Sequence, residues 1–592
     1  MNKRKPSQTM QKPRSTKAVL KRMWKYLISY RKLLILIIFL TIISNVFALI
    51  GPYLSGLAIN EIEKGKNNID FEIIFKCCGL MIIFYLISAI LSYVLSVIMI
   101  KMSQNIAYKM RSDVFNKLAY MPISFFDKTP TGDILSRISY DVDTVSTSIA
   151  SDIIQISASI ITVLGSFIMM LIISPLLSLV FVVTVPLSII FTKFMSKRTR
   201  RLFRARSVKL GELNSFSEEM ITGNKTIKAY AQEDYVIDKF DKVNIDTSKA
   251  AYEAEYHAAI IGPSVNFINN ISLTLVSVFG ALLYMKKRIS LGNISSFVLY
   301  SRKFSGPINE LANIISDLQS ALAAAERVLD LIDSKIEEET AKEKIDLGVL
   351  GHVEGKNICF GYNPEREIIH NLSFEAKEKE VIAIVGPTGA GKTTIINLLM
   401  RFYDLNSGAI YLDENNIYDL YRSDVRKNYA MVLQDTWLFN GTILENVLYG
   451  SKNKTLEDAI EACKKCKIHS FIMKLPKGYD TILSDDGINI SKGQKQLLTI
   501  ARAFLLDAKM LILDEATSNV DTKTEIDIQN SMLNLMKDKT CFIIAHRLST
   551  IINADLILVC KEGRIIEKGN HEELLIKKGF YYELYNSQFN AS

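Results

Sequence analysis

Val381-Ile382-Ala383-Ile384-Val385-Gly386-Pro387-Thr388-Gly389-Ala390-Gly391-Lys392-Thr393-Thr394 is the stretch that decides the fold. Five apolar residues bounded by glycine read as a buried strand. The strand enters residues 386–393, which fit G-x-x-x-x-G-K-[ST] in full, and residues 394–401 follow with a helical pattern. Strand, glycine-rich loop and helix in that order are the context a P-loop requires. The glycines let backbone N–H groups turn toward phosphate oxygens, and the helix N-terminus adds partial positive charge. Lys392 is then placed to reach the β- and γ-phosphates of a nucleotide, and Thr393 offers its hydroxyl to Mg2+. Gly386, Pro387, Thr388, Gly389, Ala390, Gly391 and Thr394 complete the expected cradle.

A second apolar run, Met510-Leu511-Ile512-Leu513, ends in Asp514-Glu515. Acids after a buried strand stand at the carboxyl edge of a parallel sheet, beside the P-loop. Asp514 suits the Mg2+ shell, and Glu515 suits a general base that polarises an attacking water. From about residue 351 short β-rich runs alternate with helical ones, the pattern of an α/β domain.

The N-terminal half is of another kind. Of 592 residues 49% are hydrophobic and only 22% charged, and the apolar ones are clustered. Residues 33–59, 77–100, 153–192 and 258–285 form charge-free runs of 27, 24, 40 and 28 residues. A spanning helix needs about 20 apolar residues. The longest run therefore reads as two helices joined by a turn at Ser174-Pro175, which makes five spans. The first run is too long for a signal peptide.

A sixth span follows from parity. The tail holds Lys3, Arg4, Lys5, Lys12, Arg14, Lys17, Lys21 and Arg22, which keeps it inside. A nucleotide-binding domain must lie inside too, so the crossings are even in number. The remaining candidate is residues 289–316, apolar but interrupted by Arg302, Lys303 and Glu310; polar residues in a span face protein or water. Residues 193–257, with 13 Lys/Arg, and residues 101–152, with six, belong inside. One loop disagrees: Lys286-Lys287-Arg288 falls outside.

Composition closes other classes. A net charge of +9 does not point to nucleic acid. Gly 28 and Pro 12 exclude collagen-like chains, and seven scattered Cys argue against a disulfide scaffold. The spans exclude a soluble ATPase.

These motifs bring the chain close to a known family: it resembles the half-size ABC exporters of bacteria, six membrane helices fused to one α/β P-loop NTPase domain. Tyr362, in Phe360-Gly361-Tyr362, matches the adenine-stacking aromatic. Gln434 matches the Q-loop glutamine, which senses Mg2+ and contacts the membrane part. Ile490-Ser491-Lys492-Gly493-Gln494 matches the signature motif, Ser518-Asn519-Val520-Asp521 the D-loop, and His546 the switch histidine at the γ-phosphate. The resemblance implies a tail over 1–30, a membrane domain over 31–325 with two long cytoplasmic loops, a linker over 326–350 and a nucleotide-binding domain over 351–592. It implies ATP and Mg2+ as cofactors, with Thr393, Gln434 and Asp514 as metal ligands and Glu515, His546 and Gln434 as catalytic residues. It also implies a dimer, in which Ser491, Lys492, Gly493 and Gln494 act on ATP held by the other chain.

One departure is informative. The family pattern is Leu-Ser-Gly-Gly-Gln, and here Lys492 replaces the first glycine. Ser491 and Gly493 remain, as do Glu515 and His546. Residues 481–487 also depart from the usual Glu-rich form. The combination is similar to the catalytic-side subunit of heterodimeric exporters, whose altered signature closes a degenerate ATP site on the partner.

Residues 121–127 and 132–137 resemble the first coupling loop of the family, and Glu219 with Gly223, Lys228 and Glu233 the second. Turn-like breaks at Met121-Pro122 and Thr222-Gly223-Asn224 mark the far ends of long helices. Ser296, Lys303, Glu310 and Asp317 recur at heptad spacing, with Asn313 between them, and share a helix face. They read as a wall of the translocation cavity or as a polar seam between helices. Cys463, Cys466 and His469 resemble only half a zinc site. The implied function is ATP-driven export of amphipathic compounds (drugs, lipids or peptides) across the bacterial inner membrane by alternating access. The lipid bilayer, the substrate and a second half-transporter are the implied partners, and nucleic acid is not. An ATP-gated regulator or channel, or an importer, shares every motif.

Overall fold

The computed structural model describes residues 16–65, 67–339, 348–363, 365–434, 436–451, 453–483, 490–514, 521–545 and 548–589. The chain divides into two compact units, Met1–Ala119 with Thr131–Ser334 and Tyr120–Pro130 with Lys335–Ser592.

The helices of the N-terminal half run α1 (Thr16–Ile28), α2 (Arg31–Glu63), α3 (Phe71–Ala119), α4 (Ile123–Lys128), α5 (Thr131–Ser136), α6 (Val142–Ile173), α7 (Pro175–Thr222), α8 (Asn224–Ala229), α9 (Glu233–Met285) and α10 (Leu291–Asp333). Among the described residues, α2, α3, α6, α7 and α9 are long and apolar enough to cross a membrane. Over the stretch expected as a sixth crossing α10 is one continuous helix, and it runs on to Asp333.

Local chemistry sets the breaks. Ser174 caps α7 by accepting from the Leu177 N–H, with Pro175 in the first helical position, where its missing N–H costs nothing. Pro122, which lacks an N–H to continue a helix, separates α3 from α4. Gly223 stands between α7 and α8.

Small residues let α2 and α10 touch. A Cβ on Gly292 would collide with the Gly56 carbonyl, and one on Gly56 would meet Ser296 Oγ. Backbones that close are the usual packing device in a bilayer. Around Pro52 of α2, Ser296 Oγ donates to the Pro52 carbonyl at 2.8 Å and Tyr300 to the Leu49 carbonyl at 2.6 Å. These two donors tie α10 to the backbone of α2 at the proline and at Leu49, which precedes it. At the other end of α10, Arg327 forks onto Asp141 at 2.8 and 2.5 Å. Asp141 is 2% exposed and closes a π turn, Arg137–Asp141, that leads into α6.

The second unit is α/β. An antiparallel sheet is built from β1 (Val353–Phe360), β2 (Ile369–Ala376), β4 (Ser407–Leu412) and β5 (Asn415–Asn416), in the order β2-β1-β4-β5. The larger sheet holds β3 (Val381–Val385), β6 (Tyr429–Val432), β9 (Met510–Asp514), β10 (Thr540–Ile544), β11 (Leu556–Lys561) and β12 (Arg564–Gly569), in the order β12-β11-β3-β10-β9-β6. A short ladder pairs β7 (Gly441–Thr442) with β8 (Ile482–Leu483). All pairs of the larger sheet are parallel except β11–β12.

Its inner strands β3, β9 and β10 are buried on both faces, hence their unbroken apolar runs, while the edge strand β12 is partly exposed. Ile382, Ile384, Met510 and Ile512 pack with the antiparallel sheet and with α11 (Lys392–Leu399). Ala383, Val385, Leu511 and Leu513 pack on the other side, where the core includes residues of α16 (Lys492–Leu505) and α17 (Thr522–Met536). Between α11 and α16 the chain forms α12 (Arg422–Lys427), α13 (Ile443–Leu448), α14 (Leu456–Lys465) and α15 (His469–Ile472).

Candidate functional site

β3 lies inside the parallel sheet, so the loop after it opens at the carboxyl edge, where such sheets bind ligands. The loop needs its glycines. Gly389 and Gly391 take φ of +83° and +97°, in the left-handed region. A Cβ on Gly386 would strike the Cys560 carbonyl of β11. Gly391 then caps α11, whose first-turn N–H groups face the loop.

Lys392 folds back over this loop. Its Nζ donates to the Gly386 carbonyl at 2.6 Å and the Pro387 carbonyl at 3.1 Å. Burial holds its ammonium below the usual lysine range, while Asp514 at the end of β9 pulls the other way. The P-loop lysine and the strand-end acid therefore share one electrostatic neighbourhood. Thr393 is exposed at the loop mouth and Thr394 buried behind it. Gln434 is exposed just past β6.

Tyr362 stands beside the loop. Its hydroxyl donates to Thr394 Oγ1 at 3.4 Å and accepts from Asn397 Nδ2 at 3.2 Å. Its ring meets Phe360 and Tyr403 edge to face, with centroids 5.0 and 4.9 Å away.

Ser491 is the N-cap of α16. Its hydroxyl accepts from the Gln494 N–H at 3.2 Å while the Gln494 side chain accepts from the Ser491 N–H at 3.0 Å, a full capping box. The hydroxyl proton stays free to donate, as do the Lys492 and Gly493 N–H groups that precede Gln494 in the first turn. A helix start of this kind suits an anion. Lys492 is exposed in that first turn and Gly493 is buried. Asp521 caps α17, accepting from the Thr524 N–H at 3.0 Å, and that bond holds its carboxyl below the usual range.

Glu515 and His546 lie outside the described residues, as do residues 484–489 and 515–520. Each catalytic candidate follows a strand that is described: β9 ends at Asp514, opposite Ile544 of β10 in the parallel ladder. Of the face expected on α10, Ser296 is buried and bonded to α2, a packing role. Lys303 is half-buried and Asp317 exposed, while the Glu310 and Asn313 side chains lie outside the described residues. Cys463 and Cys466 are core residues rather than surface ones. Burial pushes the Cys463 thiol up to about 11, and His469 is engaged by the Tyr479 hydroxyl at 2.9 Å.

Two groups went unnoticed in the sequence. Arg401, fully buried at φ +49°, donates to the Ile417 and Leu420 carbonyls at 2.8 and 2.7 Å. Its own carbonyl, just past α11, accepts from Arg422 at 3.0 Å and Arg426 at 2.9 Å. Arg426 in turn forks onto Glu337 at 2.9 and 2.6 Å. Cations at a helix C-terminus are favourable, so the P-loop helix is anchored at its far end. The second group is Tyr403, which donates to Asp127 of α4. No local pattern marks either group; both depend on chain segments far apart in sequence.

Comparisons with known proteins agree with this geometry. Residues 34–308 match the family described as ABC transporter transmembrane region, and residues 369–518 match the family described as ABC transporter. The chain is 42% identical to the uncharacterized ABC transporter ATP-binding protein YfiC of Bacillus subtilis, over 98% of this chain and 95% of that one. It is 40% identical to a fatty acid ABC transporter ATP-binding/permease protein of Mycobacterium tuberculosis, over 91% and 84%. It is 33% identical to the ATP-dependent lipid A-core flippase of Vibrio cholerae, over 96% and 97%. A solved bacterial Atm1-family ABC exporter with ATP bound superposes with a TM-score of 0.78 at 26% identity, covering 94% of this chain and 98% of that one.

Proposed function

This chain belongs to the ABC transporter family as a half-size exporter, and from that premise we propose that it moves a lipid-like amphiphile outward across the bacterial inner membrane as one half of a heterodimer. It is a multi-pass membrane protein and an ATP-hydrolysing transporter that works as a dimer. The observation that carries export is the length of the similarity: relatives named for fatty acid transport and for lipid A-core flipping align over both units.

In the proposed cycle each ATP lies on the P-loop of one chain and is closed by the capped start of α16 from the other. Tyr362 stacks on the base. The backbone of residues 386–391, Lys392 and the first turn of α11 hold the phosphates. Glu515 takes the proton of the attacking water, and His546 contacts the γ-phosphate. The residues fit Mg2+: the exposed Thr393 hydroxyl, the Asp514 carboxylate and the Gln434 amide are hard oxygen donors. Bound there, the ion would neutralise phosphate charge. ATP binding draws the two nucleotide units together on the cytoplasmic side, and α4 and α8 pass that closure to the membrane helices.

Lys492 favours two unlike chains. A lysine in the first turn of α16 changes the signature that the partner's ATP meets, while this chain keeps its own P-loop, Glu515 and His546. Changing Glu515→Gln tests the scheme. ATP should still bind, turnover should fall by about 10²-fold or more, and the closed dimer should accumulate. Near-normal turnover would sink the assignment.

A further inference from the structure

The outer loop that breaks the charge rule borders a cavity. Ile173, Ser174, Pro175, Leu176 and Leu179 at the α6–α7 turn, with Leu283 and Ile289 around the end of α9, line a volume of about 520 Å3. That is the size of small-molecule sites, roughly 300–1,000 Å3. Arg288 is the one charged side chain on its wall. Leu176 and Leu179 are exposed, 55% and 57%, on the apolar surface of α7 that a bilayer would cover.

We propose that this cavity binds an anionic phospholipid of the surrounding bilayer, its acyl chain against Leu176, Leu179 and Leu283 and its phosphate on the Arg288 guanidinium. Two features of the molecule converge on this occupant. The lining is apolar where a chain would lie, and it includes the exposed apolar residues Leu176 and Leu179 of α7. Positive charge stands on its wall at Arg288, with Lys286 and Lys287 next to it in the chain: all three are exposed and, among the described residues, none has an acidic partner. Three cations without an acidic partner just past the end of a span oppose the usual distribution of charge, and an anionic headgroup pairs with them. A guanidinium pairs with phosphate through parallel N–H bonds. The inference rests on the chain spanning a bilayer, and not on what it transports.

The test uses the full-length dimer in nanodiscs of phosphatidylcholine doped with photoactivatable phosphatidylglycerol. Parallel discs carry photoactivatable phosphatidylcholine or photoactivatable palmitic acid. The expected result is labelling of peptides containing Leu176–Leu179 or Leu283 by the phosphatidylglycerol probe. Labelling should fall about tenfold in Arg288→Ala and persist in Arg288→Lys. Leu179→Trp, which fills the cavity without touching charge, should remove it as well. Unchanged ATPase in these variants shows that they are folded. Equal labelling by the zwitterionic lipid, labelling by palmitic acid alone, indifference to Arg288→Ala, or no labelling at these peptides would each overturn the proposal.

Discussion

Tyr403 donates its hydroxyl to Asp127, the penultimate residue of α4. The same ring meets Tyr362 edge to face at 4.9 Å, and Tyr362 reaches Thr394 of the P-loop helix. Burial and the Asp127 carboxylate both raise the Tyr403 phenol, so the group stays neutral and keeps donating. A short series of contacts thus joins α4 to the P-loop helix α11. Contiguity alone does not establish coupling, but it specifies the variant that tests it.

Tyr403→Phe removes the bond to Asp127 and keeps the ring. Basal ATPase should be unchanged, while the substrate-stimulated part should fall by about fivefold or more, the lower end of typical coupling energies. Steady-state ATPase with and without an amphipathic substrate reads both. A loss of basal activity with intact stimulation would contradict the role given to Tyr403.

Tyr362→Ala should raise the Kd for ATP by about 5- to 150-fold, from roughly 1–3 kcal/mol of base stacking. Tyr362→Phe should bind almost normally, because the ring and not the hydroxyl does the stacking. Titration with a fluorescent ATP analogue distinguishes the two. Equal losses in both variants would mean that the hydroxyl bonds to Thr394 and Asn397 matter more than the ring.

Arg327→Ala leaves Asp141 buried without its guanidinium. The membrane unit should lose about 1.5–3 kcal/mol, the range for hydrogen bonds to a charged group. Adding Asp141→Asn should return part of that loss, since no charge then remains buried. Thermal unfolding in detergent measures the set, and additive losses would show that the two residues act independently.

Lys492→Gly separates the two dimer readings. In a heterodimer the change alters ATP retention at the partner's site and leaves turnover nearly constant. In a homodimer Lys492 lies in both sites, so turnover itself shifts. Single-turnover and steady-state ATPase of the purified complex answer this, after native mass spectrometry has shown whether a second chain is present.

The strand–loop–helix unit around Lys392 and the capped start of α16 were legible because their chemistry is local. Gly386, Gly389, Gly391 and Lys392 act within one strand–loop–helix unit, and Ser491 and Gln494 cap a helix three residues apart. The turn at Ser174-Pro175 is local in the same sense. What was not legible is long-range. Asp141 and Arg327 are 186 residues apart, and Asp127 and Tyr403 are 276 apart. Ser296 shows a limit of periodicity: heptad spacing put it on a polar face, but its hydroxyl is used by the Pro52 carbonyl at a glycine-lined crossing that no single-helix pattern reveals.

In the proposed cycle ATP hydrolysis drives an amphiphile outward, uphill. The measurement that tests it most directly is uptake of a fluorescent fatty-acyl lipid into inside-out vesicles containing the purified dimer. Accumulation above the external concentration is expected with ATP, and none with Glu515→Gln. Flux that ATP switches on but that stops at equal concentrations would contradict it and identify an ATP-gated channel instead.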